Sequence, residues 1–137
     1  MTEEVMVEGI VAVPQGEIAL LLECGYLYME MQKFQEAEEV FGGVAALIPH
    51  SDVPLICLGN LQFSQGRYER ALKHQREALT RNPGSALAQA HTGEALLFLG
   101  KKSKAKTELQ KAIDMEPNGE AASFAESLLD AIAAEMV

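Results

Sequence analysis

The chain has 137 residues, long enough for one domain with a continuous core, and carries 11 basic against 20 acidic residues for a net charge of −9. That balance argues against nucleic acid as a partner, because binding a phosphate backbone rests on clustered Lys and Arg. No apolar run approaches the roughly 20 residues of a membrane-spanning helix, since "IALLL" is cut short by Glu23, so no membrane insertion is expected.

In chain order, residues 1–17 form an N-terminal arm. The start "MTEEVMVEGIVAVP" lacks the basic opening and cleavable apolar core of a secretory leader. Cys24 and Cys57 are too few for a disulfide framework. Both point to a cytoplasmic protein. Within the arm, "VMVEGIVAVP" reads as a short helix covering the segment from residue 18, an extended segment, or a self-association contact. The short helix is the expectation adopted, with a homodimer through the arm as the accompanying partner reading.

From residue 18 the sequence repeats itself. Gly25, Gly59 and Gly93 are each 34 residues apart, and so are Ala37, Ala71 and Ala105, and Pro49, Pro83 and Pro117. The spacing divides this stretch into three ungapped units, at 18–51, 52–85 and 86–119, each reading as helix, turn, helix and closing proline. In the first, Leu21, Cys24, Gly25 and Tyr28 share one helical face, and Ala37, Val40, Phe41 and Val44 share another. Glycine costs about 1 kcal/mol against alanine inside a helix, so Gly25, Gly59 and Gly93 read as places where a second helix approaches closely. Gly66 and Gly100 fall between helices, where a turn accepts them. Residues 120–137 supply one more helix, with Phe124, Leu128 and Ala131 on one side and Glu126, Asp130 and Glu135 elsewhere, as a repeat stack needs at its end. Seven main helices are predicted, with turns near Gln32, Gly66 and Gly100 and no sheet.

These units resemble the tetratricopeptide repeat, whose 34-residue pattern runs bulky residue, leucine-glycine, aromatic, alanine, aromatic, proline. The first unit matches as Leu21, Cys24-Gly25, Tyr28, Ala37, Phe41 and Pro49. The second keeps Leu55, Leu58-Gly59, Ala71 and Pro83 but has Gln62 and Gln75 in the aromatic places. The third keeps Gly93, Ala105 and Pro117, with Leu96 and Leu109 there. The resemblance implies an all-α fold, a right-handed superhelix of three tandem helix-turn-helix units with a C-terminal capping helix. It also implies that the first helices of the units line a concave groove. The residues it places there are Leu22, Tyr26 and Met29, then Ile56, Asn60 and Phe63, then Leu87, Glu94 and Leu97. Ala19, Val53 and Ala90 lie on the same face with a stronger pull toward burial.

Charge is unevenly shared. It is −4 in the arm, −4 in the first unit, +2 and +1 in the second and third, and −4 in the tail. The basic residues gather in second helices (Arg67, Arg70, Lys73, Arg76; Lys101, Lys102, Lys104, Lys106), which the resemblance puts on the convex side. That side reads as a solvated face, or as a docking surface for an acidic partner.

Chemistry is sparse. His50, His74 and His91 lie far apart without metal-ligand spacing, so no metal or other cofactor is expected. Cys24 and Cys57 are assigned to packing, with no histidine placed to activate either. "LGKKSKAK" lacks the first glycine of a phosphate loop. No enzyme is expected. In one branch of the family, basic residues and asparagine clamp a chaperone's C-terminal carboxylate. Here the corresponding places hold Leu22, Leu87 and His91, and Asn60 alone is kept. The apolar groove instead suits an amphipathic helix or apolar segment of a protein or peptide client. Size, charge and repeat number resemble the small chaperones of bacterial type III secretion, which hold translocator or needle subunits. The alternative is an adaptor or scaffold subunit of a standing assembly.

Overall fold

The structure, a computed structural model, describes residues 4–7 and 11–137 of the chain. Among these, seven helices form the body: α1 (Gln15–Glu30), α2 (Phe34–Leu47), α3 (Val53–Ser64), α4 (Tyr68–Arg81), α5 (Ala86–Phe98), α6 (Lys102–Met115) and α7 (Glu120–Ala133). Each packs against its sequence neighbours, giving three helical hairpins stacked in register and closed by α7.

The turns recur with the repeat. Gln32, Gly66 and Gly100 all take positive φ, at 59°, 77° and 81°. Directly after each, an amide reaches back five residues: Lys33 N to Tyr28 O at 2.8 Å, Arg67 N to Gln62 O at 2.9 Å and Lys101 N to Leu96 O at 2.9 Å. This is the six-to-one bond of a Schellman ending, which places a left-handed residue one position beyond the helix cap. Glycine meets that demand without strain at two of the three sites.

The close approach expected at the repeated glycines is present. A methyl group at Gly93 would stand 2.6 Å from Cγ of Leu109, and one at Gly25 or Gly59 would collide with Phe41 or Gln75. Phe41, Gln75 and Leu109 are themselves 34 residues apart, so each unit seats one bulky side chain of its second helix on the glycine of its first. Ala37, Ala71 and Ala105 are fully buried in the same interfaces. Ser85 caps α5, accepting from the amide of Ala88 at 3.2 Å. Arg81 at the end of α4 donates to Ser51 O at 3.1 Å, linking the second unit back to the loop that follows the first.

The core divides in two. One cluster joins Phe41 and Ala45 of α2 to Leu55, Leu58 and Leu61 of α3. The other runs from Leu72 of α4 through Leu96 and Leu97 of α5 and Leu109 of α6 to Ala121, Ala125 and Ile132 of α7. Phe124 and Leu128 pack against it partly buried, so the last helix covers the end of the stack as its pattern predicts.

The arm departs from expectation. Where a short helix is expected, its described residues form two antiparallel strands, β1 (Glu4–Val7) and β2 (Val11–Pro14), with Val5 opposite Val13 and Met6 opposite Ala12. The predicted absence of sheet therefore fails at the N-terminus. The reason is composition: Val5, Val7, Val11 and Val13 are β-branched, which suits an extended backbone better than a helix. Residues 1–3 and 8–10, part of the expected self-association contact, lie outside the described residues.

Candidate partner-binding face

The odd-numbered helices approach one another as well as their sequence neighbours. Contacts join α1 to α3, α3 to α5 and α5 to α7, and among the described residues no comparable approach joins even-numbered helices. An array whose members crowd together on one side curves toward that side, so the odd helices form the inner face.

Three side-chain pairs step along this face from helix to helix. The Asn60 amide donates to the Tyr26 hydroxyl at 3.1 Å, joining α3 to α1. Phe63 meets Phe98 edge-on with ring centres 4.9 Å apart, joining α3 to α5. His91 lies against Phe124 at 5.0 Å, joining α5 to α7. His91 Nδ1 also stands 3.0 Å from Glu94 Oε1, one turn along α5. Burial, reinforced by the neighbouring Cys57 thiol, pushes the Tyr26 phenol well above its ordinary pKa, and the Asn60 bond opposes this only in part. Tyr26 therefore stays a neutral hydroxyl beside an exposed ring edge. Burial likewise raises the Cys57 thiol, which leaves it protonated rather than reactive.

The residues expected to line the groove sort by depth. Tyr26 is 37% exposed and Leu87 38% exposed. Leu22, Met29, Asn60, Phe63 and Glu94 are half-buried. Ile56 and Leu97 are buried outright. For these two the expectation of open groove is corrected: Ile56 belongs to the first core cluster, and Leu97 shares the second with the α7 residues. Ala90 is buried as well, whereas Val53 is exposed. Ile56 and Leu97 lie on helices flanked on both sides, α3 by α1 and α5, and α5 by α3 and α7. Cys24, assigned to packing, is exposed, since among the described residues no helix covers the face of α1 that carries it.

Sequence reasoning missed Tyr68 and Phe98. They close a three-ring cluster with Phe63, with centres 5.0 Å apart for Phe63 and Tyr68 and 5.3 Å for Tyr68 and Phe98. Phe98 is 45% exposed. Phe98 and Tyr68 sit at a helix end and a helix start, outside the repeated core pattern, and no spacing in the sequence singles them out.

The opposite side is basic. An open cleft there is lined by Lys73, Arg76 and Lys101 together with Glu69 and Glu77, over Leu72, Thr80 and Leu99. Among the described residues no group of three or more His, Cys, Asp or Glu is placed to hold a metal, and no helix is long and apolar enough to cross a membrane. What the inner face offers is a row of aromatic edges and aliphatic groups with hydroxyl, amide and carboxylate between them. Aromatic rings with polar groups between them are the composition typical of the centre of protein interfaces.

The tetratricopeptide-repeat family model matches residues 62–129. The chain is 34% identical over 95 residues to human tetratricopeptide repeat protein 7A, a match that covers 69% of this chain and 11% of that protein. The chain thus spans about a tenth of the length of the curated relative it matches. Among solved structures, it resembles the Yersinia enterocolitica type III secretion chaperone SycD in complex with a peptide of the translocator YopD, with a TM-score of 0.73 at 20% identity, covering 90% of this chain and 97% of that one. It also resembles the first such repeat domain of Spaghetti bound to the HSP90 peptide SRMEEVD, with a TM-score of 0.69 at 22% identity, covering 88% and 97%.

Proposed function

Because the chain belongs to the tetratricopeptide-repeat family, we propose that it is a non-catalytic interaction module whose inner face seats an apolar or amphipathic segment of a client protein. The observation that carries this reading is the row of partly open groups from Tyr26 and Asn60 through Phe63, Tyr68 and Phe98 to Phe124. The rings are held by one another, so little freedom remains to be lost when a client docks.

Within that reading the client is a translocator or needle subunit, held as a type III secretion chaperone holds it in the cytoplasm. Support comes from likeness along nearly the whole length of a secretion chaperone solved with a translocator peptide. Self-association through the arm belongs to the same reading, with the two hairpin strands as its edges. The scaffold alternative draws on a different observation: the human relative matches over a small fraction of a much longer protein.

Affinity purification from the native source, followed by identification of what co-purifies, separates the two. A small stable complex with one aggregation-prone client is the outcome expected of a chaperone, and retention in a large assembly that of a scaffold. The captured client then tests the face. Phe98→Glu and Tyr26→Glu, both at exposed rings, should each weaken it more than about tenfold, the scale of a central anchor. Arg70→Glu and Lys104→Glu on the basic side should alter mainly the salt dependence of association. The reading fails if the basic-side reversals abolish binding while both ring variants, with helix content intact, bind normally.

A further inference from the structure

A different surface is left uncovered at the start of the stack. Leu20, Cys24, Leu27 and Met31 follow one another at helical spacing along α1 and just beyond its end. Leu20 is 59% exposed, Leu27 54% and Met31 52%, and Cys24 is exposed between them. Among the described residues no helix packs on this stripe.

The repeat register says what such a stripe is shaped to receive. Leu20, Cys24 and Leu27 correspond to Pro54, Leu58 and Leu61 in α3, and all three of those are buried. They correspond to Ala88, Thr92 and Ala95 in α5, buried again. In those two units the preceding helix, α2 or α4, packs against the element that carries them. At α1 the same positions stand without that helix.

Charge narrows the occupant. Every charged residue of α1 is acidic, and Glu17, Glu23 and Glu30 are all exposed. A second copy laid on the stripe by two-fold symmetry would bring these carboxylates together. No described helix of a second copy offers a better match. The apolar residues of the basic α4 (Ala71, Leu72, Ala78) are already buried, and α7 turns Glu126, Ser127 and Asp130 outward.

We propose that the outer face of α1 is a second docking site, which receives an amphipathic helix of another protein whose apolar stripe is flanked by Lys or Arg and which seats as α2 seats on α3. The site is separate from the inner face, so the two can fail independently.

Cys24 reports on it. Because Cys57 is buried, alkylation of the folded full-length chain, read by peptide mapping, follows Cys24. The probe is a synthetic helix-stapled peptide with the sequence of α4, YERALKHQREALTR, the basic helix that covers the equivalent positions of α5. The control has the sequence of α2, FQEAEEVFGGVAAL, which is acidic. The α4 peptide should slow Cys24 alkylation and bind at least about tenfold more tightly than the α2 peptide. Leu27→Glu should abolish that protection, Glu23→Lys with Glu30→Lys should reverse the preference between peptides, and Phe98→Glu should leave both unchanged. Leu20→Glu supplies a second exposed position should Leu27→Glu lose helix content. The proposal is overturned if Cys24 alkylation is unaffected by the α4 peptide, if the Leu27 and Leu20 variants are protected like the parent, or if rising protein concentration alone shields Cys24, which would assign the face to a second copy.

Discussion

Gly93 and Gly42 lie in helices of the same repeated architecture but have different surroundings. A methyl group at Gly93 would press on the side chain of Leu109 and lie 3.2 Å from its backbone nitrogen, whereas one at Gly42 meets nothing within 4 Å. Gly93→Ala should therefore lower stability by about 1–3 kcal/mol, the scale of overpacking. Gly42→Ala should raise it by about 0.5–1 kcal/mol through lost unfolded-state freedom, and paired urea melts would check both. Gln75 occupies the place that Phe41 and Leu109 hold in the other units. Its Nε2 donates to Ile56 O at 3.2 Å, but its buried Oε1 has no partner among the described residues. Gln75→Leu should gain about 1 kcal/mol by removing that unpaired acceptor, measured by the same melts. His74 follows a different rule. Burial, the largest influence, lowers its pKa, with Glu77 and Glu38 opposing and Lys73 assisting. The unfolded chain thus binds this proton more readily than the folded one, so stability falls as pH drops below the ordinary histidine value. His74→Asn should flatten the loss of stability between about pH 7 and about pH 5.

At the scale of the helix and turn, Gln32 departs from its repeat. It holds φ of 59° where its counterparts are Gly66 and Gly100. A left-handed conformation costs a side-chain-bearing residue about 1–2 kcal/mol. Gln32→Gly should raise the free energy of unfolding by about 0.5–1 kcal/mol after the added freedom of the unfolded chain is deducted, read as a higher melting midpoint. That these turns could be read from the sequence has a local cause. A glycine or its equivalent five residues before the next helical alanine, and a glycine facing a bulky residue sixteen positions on, are contacts within one unit, and the 34-residue spacing repeats them. Contacts between units were harder to read. Ile56 and Tyr26 differ by four positions within their repeats and look equally apolar in sequence, but Ile56 is core and Tyr26 is open. The difference lies in which neighbouring helix crosses which residue, and that depends on stack curvature rather than on spacing. The arm was illegible for another reason: its valines fall in no repeat, leaving strand preference as the deciding term.

Over the whole molecule, the two ends of the stack differ. α7 covers one end with its apolar residues turned inward, while at the other end α1 keeps Leu20 and Leu27 open. Stability in a stacked array is close to a sum of unit terms and interface terms between neighbours. A helix with one neighbouring hairpin face rather than two is the cheapest to release. The molecule should therefore open like a zipper with a preferred end: amides of α1 exchange with solvent first, α2 next, and those of α5 and α6 only near global unfolding. Residue-resolved hydrogen exchange would reveal that polarity, and equal protection along the array would contradict it. A helix bound to α1 would extend the slow-exchanging register by one step toward the N-terminus, so that occupancy at this end would be recorded as time rather than as shape.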